Sequence, residues 1–250
     1  MNDDTAPERS IRQPPKILIP VQVLAGQTVP EVLVEFLAPS VVVVLGYHVL
    51  PEQTSTEQAS IQFEERARAA VEDIAGTFRE AGREVETRVA FTHDRDQTVE
   101  RVAAEVGATA VLLSNPTGEI ERVLVAVRGA VDTDRLADLV ATLVGTEDIE
   151  VTLWGLETPA SDVDVDAAVE RTRETLGARG LPGAGLTAEA TVSERPIVDI
   201  VERSAEYDVV VMGEGETTLL STLLGDDAER VARGAVAPVL VVRSVPADAE

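Results

Sequence analysis

The chain contains no cysteine in 250 residues, which excludes disulfides, thiolate metal sites and a cysteine nucleophile. Aromatic residues are only 3% of it, so a core has to be assembled from Val, Leu, Ile and Ala. The 44% of hydrophobic residues supply these in quantity. Lysine is reduced to one, Lys16. No apolar run approaches the length of a membrane span. The start, Met1-Asn2-Asp3-Asp4, is acidic and has neither the charged nor the apolar region of a signal peptide. These absences predict a soluble cytoplasmic protein with no direct membrane insertion.

What is abundant is negative charge. Forty-five acidic residues stand against 21 basic ones, a net charge of −24. Such a surface repels nucleic-acid phosphates and anionic lipid, so neither is expected as a partner. The charge is spread along the chain rather than gathered into a tail. Self-repulsion of this size is tolerable where molar salt shortens screening to about 3 Å. Acidity together with near-absence of lysine points to a halophile.

The chain reads as two copies of one pattern. After a polar, proline-containing stretch over 1–15, Lys16 to Val21 is an apolar run without polar alternation, as in a strand covered on both faces. Mixed helical spacing runs from Val29 to Leu37, and a second buried strand from Val41 to Leu50. The longest helical pattern, Glu57 to Ala81, is closed by Gly82. Val85 to Phe91 alternates like an edge strand, Thr98 to Val106 is helical, and Ala110 to Leu113 is a strand. Arg122 to Val127 then repeats Lys16 to Val21, 106 residues on. A helix (Val131–Leu143), a strand (Glu150–Leu156), a helix (Val165–Ala178), an alternating strand (Leu186–Val192), a helix (Ile197–Ala205) and a strand (Asp208–Met212) follow. An internal repeat is the simplest account. The second copy continues through Gly213, Gly215 and Gly225 into the helical run Ala228–Arg233 and a closing strand, Val239–Arg243. After Ser114-Asn115-Pro116 the first copy has no counterpart of this stretch.

Val210-Val211-Met212-Gly213, the glycines at 215 and 225 with nine residues between them, Glu229-Arg230-Val231, and Pro238-Val239-Leu240-Val241-Val242 together resemble the C-terminal half of a universal stress protein domain. The resemblance covers 16–116 and 121–243. It implies an α/β fold of two tandem flavodoxin/Rossmann-like (adenine nucleotide alpha hydrolase-like) parallel sheets with helices on both faces. Expected strand orders are 3-2-1-4 in a truncated first domain (16–118) and 3-2-1-4-5 in a complete second one (119–244), with tails at 1–15 and 245–250.

In nucleotide-binding members of the family, an Asp after the first strand, a Gly-x-x-Gly loop and a Gly-Ser/Thr at a helix start meet around ATP. Carried over, the loop falls on Gly213 and Gly215, one residue short of the usual spacing, and the helix start on Gly225. The Ser/Thr position is Asp226, and the Asp position is Arg128 in the second copy and Gln22 in the first. An aspartate facing a phosphate oxygen is a like charge at close range, so ATP held in the usual way is disfavoured. Asp226 is read either as the N-cap of a helix beginning at Asp227 or as an ion-pair partner of Arg128. Arg128 is alternatively an anchor for a ligand phosphate, and Mg²⁺ held by aspartates would favour ATP or AMP.

His48 and His93 have no partner serine or metal set near them in sequence, and no catalytic residue is assigned. Asp162, Asp164 and Asp166 have the alternation of a calcium loop without its Gly and closing Glu, and read as the acidic start of a helix. The resemblance implies a non-enzymatic regulator working through protein contacts with little or no ATP binding. Its alternative is a sensor of ATP, AMP or a cyclic dinucleotide. The resemblance also implies that the two copies pack against each other as an internal pseudo-dimer, and Val239–Arg243 is expected to pair two molecules as a homodimer. Gly213 to Asp226 resembles stress-protein domains appended to haloarchaeal transporters, which implies a membrane transporter as a partner.

Overall fold

The uninterrupted apolar runs of the sequence are the strands of the computed structural model. It describes residues 14–113, 116–129, 131–145, 148–159, 163–181, 183–213 and 225–243, of which 184 and 225–229 as backbone only. Strands β1 (Lys16–Gln22), β2 (Val41–Val49), β3 (Val85–Thr92) and β4 (Ala110–Leu113) alternate with helices α1 (Glu31–Leu37), α2 (Thr56–Glu80) and α3 (Arg95–Glu105). The second round comprises β5 (Arg122–Val127), α4 (Thr133–Val144), β6 (Glu150–Glu157), α5 (Val165–Ala178), β7 (Leu186–Val192), α6 (Pro196–Arg203), β8 (Val209–Gly213), α7 (Gly225–Gly234) and β9 (Val239–Val242).

The two expected sheets are one. All nine strands form a continuous sheet in the order β3-β2-β1-β4-β9-β8-β5-β6-β7. Each half keeps the order expected of it, 3-2-1-4 and 3-2-1-4-5, with parallel pairing throughout. The join is antiparallel: Ala110, Val111, Leu112 and Leu113 of β4 stand opposite Val242, Val241, Leu240 and Val239 of β9. β9 therefore has β8 on one side and β4 on the other, both from its own chain. The edge expected to receive a second molecule is filled from within, because the first half lacks a fifth strand and leaves β4 to be covered.

Layers of helix bury both faces. One face packs α1, α2, α4 and α5 around residues such as Ile17, Val42, Phe78, Val125, Leu136 and Leu153. The other packs α3, α6 and α7 around Leu18, Val43, Val99, Leu124, Trp154, Ile200 and Val231. Burial on both sides is why these strands carry no polar alternation. The same device lowers a helix onto β2 and onto β6. A methyl group on Gly46 would meet Val71 Cγ2 of α2 at 2.1 Å, and one on Gly155 would meet Val165 Cγ1 and Val169 Cγ2 of α5 at 2.6 and 2.7 Å.

Polar groups fix the connections. Asp208, just before β8, accepts from the backbone N–H groups of Glu121 (3.1 Å) and Arg122 (2.8 Å), holding the chain where it passes from the first half to the second. Arg135 of α4 donates to the Ala108 carbonyl beside β4 at 3.1 Å. The buried Arg179, after α5, donates to Asp138 of α4 at 2.6 Å and to Asp134 at 2.8 Å. Its hydrogen bond with Asp138 raises the guanidinium pKa above the ordinary value, and burial opposes that shift. No helix among the described residues is long and apolar enough to cross a membrane.

Two stability predictions follow from this packing. Gly155→Ala and Gly46→Ala each overpack a helix–sheet contact and should cost about 1–3 kcal/mol in denaturant unfolding; unchanged midpoints would mean that the helices ride freely on the sheet. Asp138→Ala leaves the Arg179 charge buried with a weakened partner set and should cost about 3–5 kcal/mol. Because that pair is shielded from solvent, the loss should persist from low to molar KCl, unlike that of an exposed pair such as Arg68–Glu64.

Candidate functional site

Because β8 and β9 are parallel neighbours, the crossover helix α7 starts from the carboxyl edge of the second half. Open α/β sheets place ligands at that edge. β5 and β8 are adjacent in the register Ala126↔Met212, so Arg128, following β5, and Gly213, ending β8, come out side by side there. Arg128 is half-buried, and the chain turns at once through Gly129, whose φ of +65° is the left-handed conformation that glycine adopts without strain. Gly215, with Glu214 and Glu216, lies outside the described residues.

Gly213 is not open above its Cα. The loop after β5 lays Val131 across it, so that a methyl group on Gly213 would meet Val131 Cγ2 at 3.2 Å. Nothing local in the sequence marks Val131, since the contact joins two loops 82 residues apart. The α7 backbone begins at Gly225 rather than Asp227. Asp226 and Asp227 are thus in the first turn and not before it, where carboxylates interact favourably with the helix dipole. The Asp226 side chain, and so its pairing with Arg128, lies outside the described residues.

The histidines are elsewhere. Since the two halves join antiparallel, the carboxyl edge of β1–β4 lies at the opposite margin of the sheet from that of β5–β9. His48 lies inside β2, with the rings of Phe63 and Phe91 at 6.3 and 6.4 Å. Its Nδ1 is buried without a hydrogen-bond partner. His93 Nδ1 is 3.3 Å from the Leu50 carbonyl. Neither can reach the groups around Gly213. Asp164 caps α5 by accepting from the Ala167 N–H at 2.9 Å, with Asp166 in the first turn, as the helix-start reading expects; Asp162 lies outside the described residues. No group of three or more potential ligands that could hold a metal ion occurs among the described residues.

This arrangement of strands, helices and glycine-ended edge was compared with known proteins. A universal stress protein from Archaeoglobus fulgidus superposes with a TM-score of 0.60 over 94% of this chain and 97% of its own, at 15% identity. The chain has the universal stress protein fold. A functionally unknown protein from Pseudomonas aeruginosa matches with a TM-score of 0.52 over 93% of this chain and 94% of its own, at 17% identity. No protein-family model and no curated protein matches the chain. Within the universal stress protein fold, the residues that the resemblance assigned to a nucleotide thus divide into two groups. Arg128 and Gly213 share one carboxyl edge, and Gly225 and Asp226 open the helix that leaves it.

The contact between Val131 and Gly213 is testable by a double-mutant cycle. Gly213→Ala presses on Val131, and Val131→Ala makes room, so the double variant should be about 0.5–1 kcal/mol more stable than the two single effects predict. Strict additivity would show that the loop does not bear on Gly213.

Proposed function

We propose that the protein is a non-enzymatic regulator of the universal stress protein type that acts through protein contacts, with little or no ATP binding. The observation that supports this most directly is Val131 packed over Gly213. The backbone that would approach a phosphate there is already covered by a β-branched side chain. In the sequence, Arg128 stands where nucleotide-binding members of the family carry an Asp, and Asp226 where they carry a Ser or Thr. The separation of His48 and His93 from this edge supports the non-enzymatic part of the reading. The resemblance of 213–226 to domains appended to transporters makes a membrane transporter the protein partner we propose, and we read the acidic composition as that of a protein working in molar salt.

The second reading, a small-molecule sensor for ATP, AMP or a cyclic dinucleotide, is favoured by the position of Arg128. A guanidinium beside a strand-ending glycine and a helix start suits a phosphate. The two readings separate in thermal unfolding, measured in molar KCl with Mg²⁺ and millimolar ATP, AMP or cyclic di-AMP. A ligand at 100 times its Kd adds about 2.7 kcal/mol, which at this size moves Tm by roughly 5–10 °C. The regulator reading expects no shift with any of the three. A shift that Arg128→Ala abolishes would overturn it and establish Arg128 as the anion anchor.

A further inference from the structure

β3 and β7 end the sheet, and they are finished differently. β3 is protected in the way edge strands usually are, by charge: Glu86 and Arg88 stand on it, and Glu86 also pairs with Lys16. β7 reads Leu186-Thr187-Ala188-Glu189-Ala190-Thr191-Val192, with no proline and a single charge, and none of its seven residues is buried. Val192 is 65% exposed. In a chain of net charge −24, this is a nearly uncharged open edge.

The strand is also a palindrome about Glu189, with Ala, Thr and then Leu or Val at equal distances on either side. An antiparallel pair about a two-fold axis at residue 189 sets Ala188 against Ala190, Thr187 against Thr191 and Leu186 against Val192. Every residue meets its own kind, on its own face. The backbone phase agrees. Ser193 N–H donates to the Glu157 carbonyl of β6. Alternation along the strand therefore turns Thr187, Glu189 and Thr191 toward β6, and leaves the N–H and C=O groups of Leu186, Ala188, Ala190 and Val192 pointing outward. The two-fold at Glu189 then makes 188/190 and 186/192 the hydrogen-bonded pairs, giving about eight backbone hydrogen bonds across the axis.

The one charge is compensated before a partner arrives. Glu189 accepts a hydrogen bond from Arg203, whose guanidinium lies over the Trp154 ring at 4.4 Å, while Trp154 Nε1 donates to Thr191 at 3.2 Å. Two Glu189 side chains meeting on the axis thus bring two arginines with them, and the four-group cluster has no net charge. We propose that β7 is the homodimer surface. Two copies pair antiparallel through it, extending the nine-stranded sheet to eighteen strands. The expected dimer is retained, on a different edge from Val239–Arg243.

Light scattering on a sizing column in molar KCl should give twice the 26.6 kDa chain mass. Ala190→Pro removes an outward N–H without touching the bonds to β6, and Ala188→Lys adds an edge charge; each should return the mass to that of one chain. A wild-type monomer, or a dimer that survives both changes with its circular dichroism intact, overturns the proposal. Should either variant unfold, Glu189→Cys decides. With no other cysteine in the chain, Cβ atoms roughly 4.5–5.5 Å apart on the axis should cross-link under mild oxidation. Thr87→Cys on β3 should not. Equal cross-linking of both variants, or none at residue 189, overturns the proposal.

Discussion

Four antiparallel pairs hold the molecule together as one sheet: Ala110–Val242, Val111–Val241, Leu112–Leu240 and Leu113–Val239. Each half on its own would end in an apolar edge. β4 would be left bare because its half stops after Leu113 and the short link to β5, and β9 would be left bare because it is the last strand of the other half. An unpaired edge of Ala, Val and Leu costs its backbone hydrogen bonds and invites association. Joining the two edges removes both liabilities at once. It also explains how the first half tolerates the loss of its glycine loop, last helix and fifth strand: β9 serves as fifth strand for both.

Because the seam is antiparallel while every other pairing is parallel, the halves run in opposite directions. Their carboxyl edges, where such folds carry their sites, face opposite margins of the sheet. No group at the end of β1–β4 can assist one at the end of β5–β9. His48 and His93 are thus removed from Arg128 by topology, whatever their sequence proximity to other polar groups. The seam relocates the problem of free edges too. Among the described strands only β3 and β7 remain open, and charge on β3 and self-complementarity on β7 are two different answers to the same exposure.

Local pattern carried much of this into the sequence. The unalternated apolar runs became strands, and Leu186–Val192 and Val165–Ala178 fall where periodicity places them. Glycines at 82 and 107 closed α2 and α3 with positive φ. Helix starts were harder. α3 begins at Arg95 rather than Thr98 because Asp94 accepts from the Gln97 N–H at 3.0 Å, and a polar first turn shows no apolar period. That the two copies pack on each other was expected, but not through which strands. The β4 and β9 runs look alike whether they meet inside one chain or between two, so the antiparallel edge was read as intermolecular. Gly213 was read as a phosphate cradle because the side chain that covers it comes from another loop.

The proposal of a regulator with little or no ATP binding also draws on the residue types at the carboxyl edge of β5–β9. A helix N-terminus attracts an anion because its first N–H groups and its dipole present partial positive charge. Asp226 and Asp227 fall in the first turn of α7, and carboxylates at such positions are favoured by about 0.3–1 kcal/mol each at an exposed end. A phosphate brought to that turn would be a like charge to both. On the proposed reading this is what disfavours ATP at the end of β8. The case for a sensor then rests on Arg128, which follows the neighbouring strand.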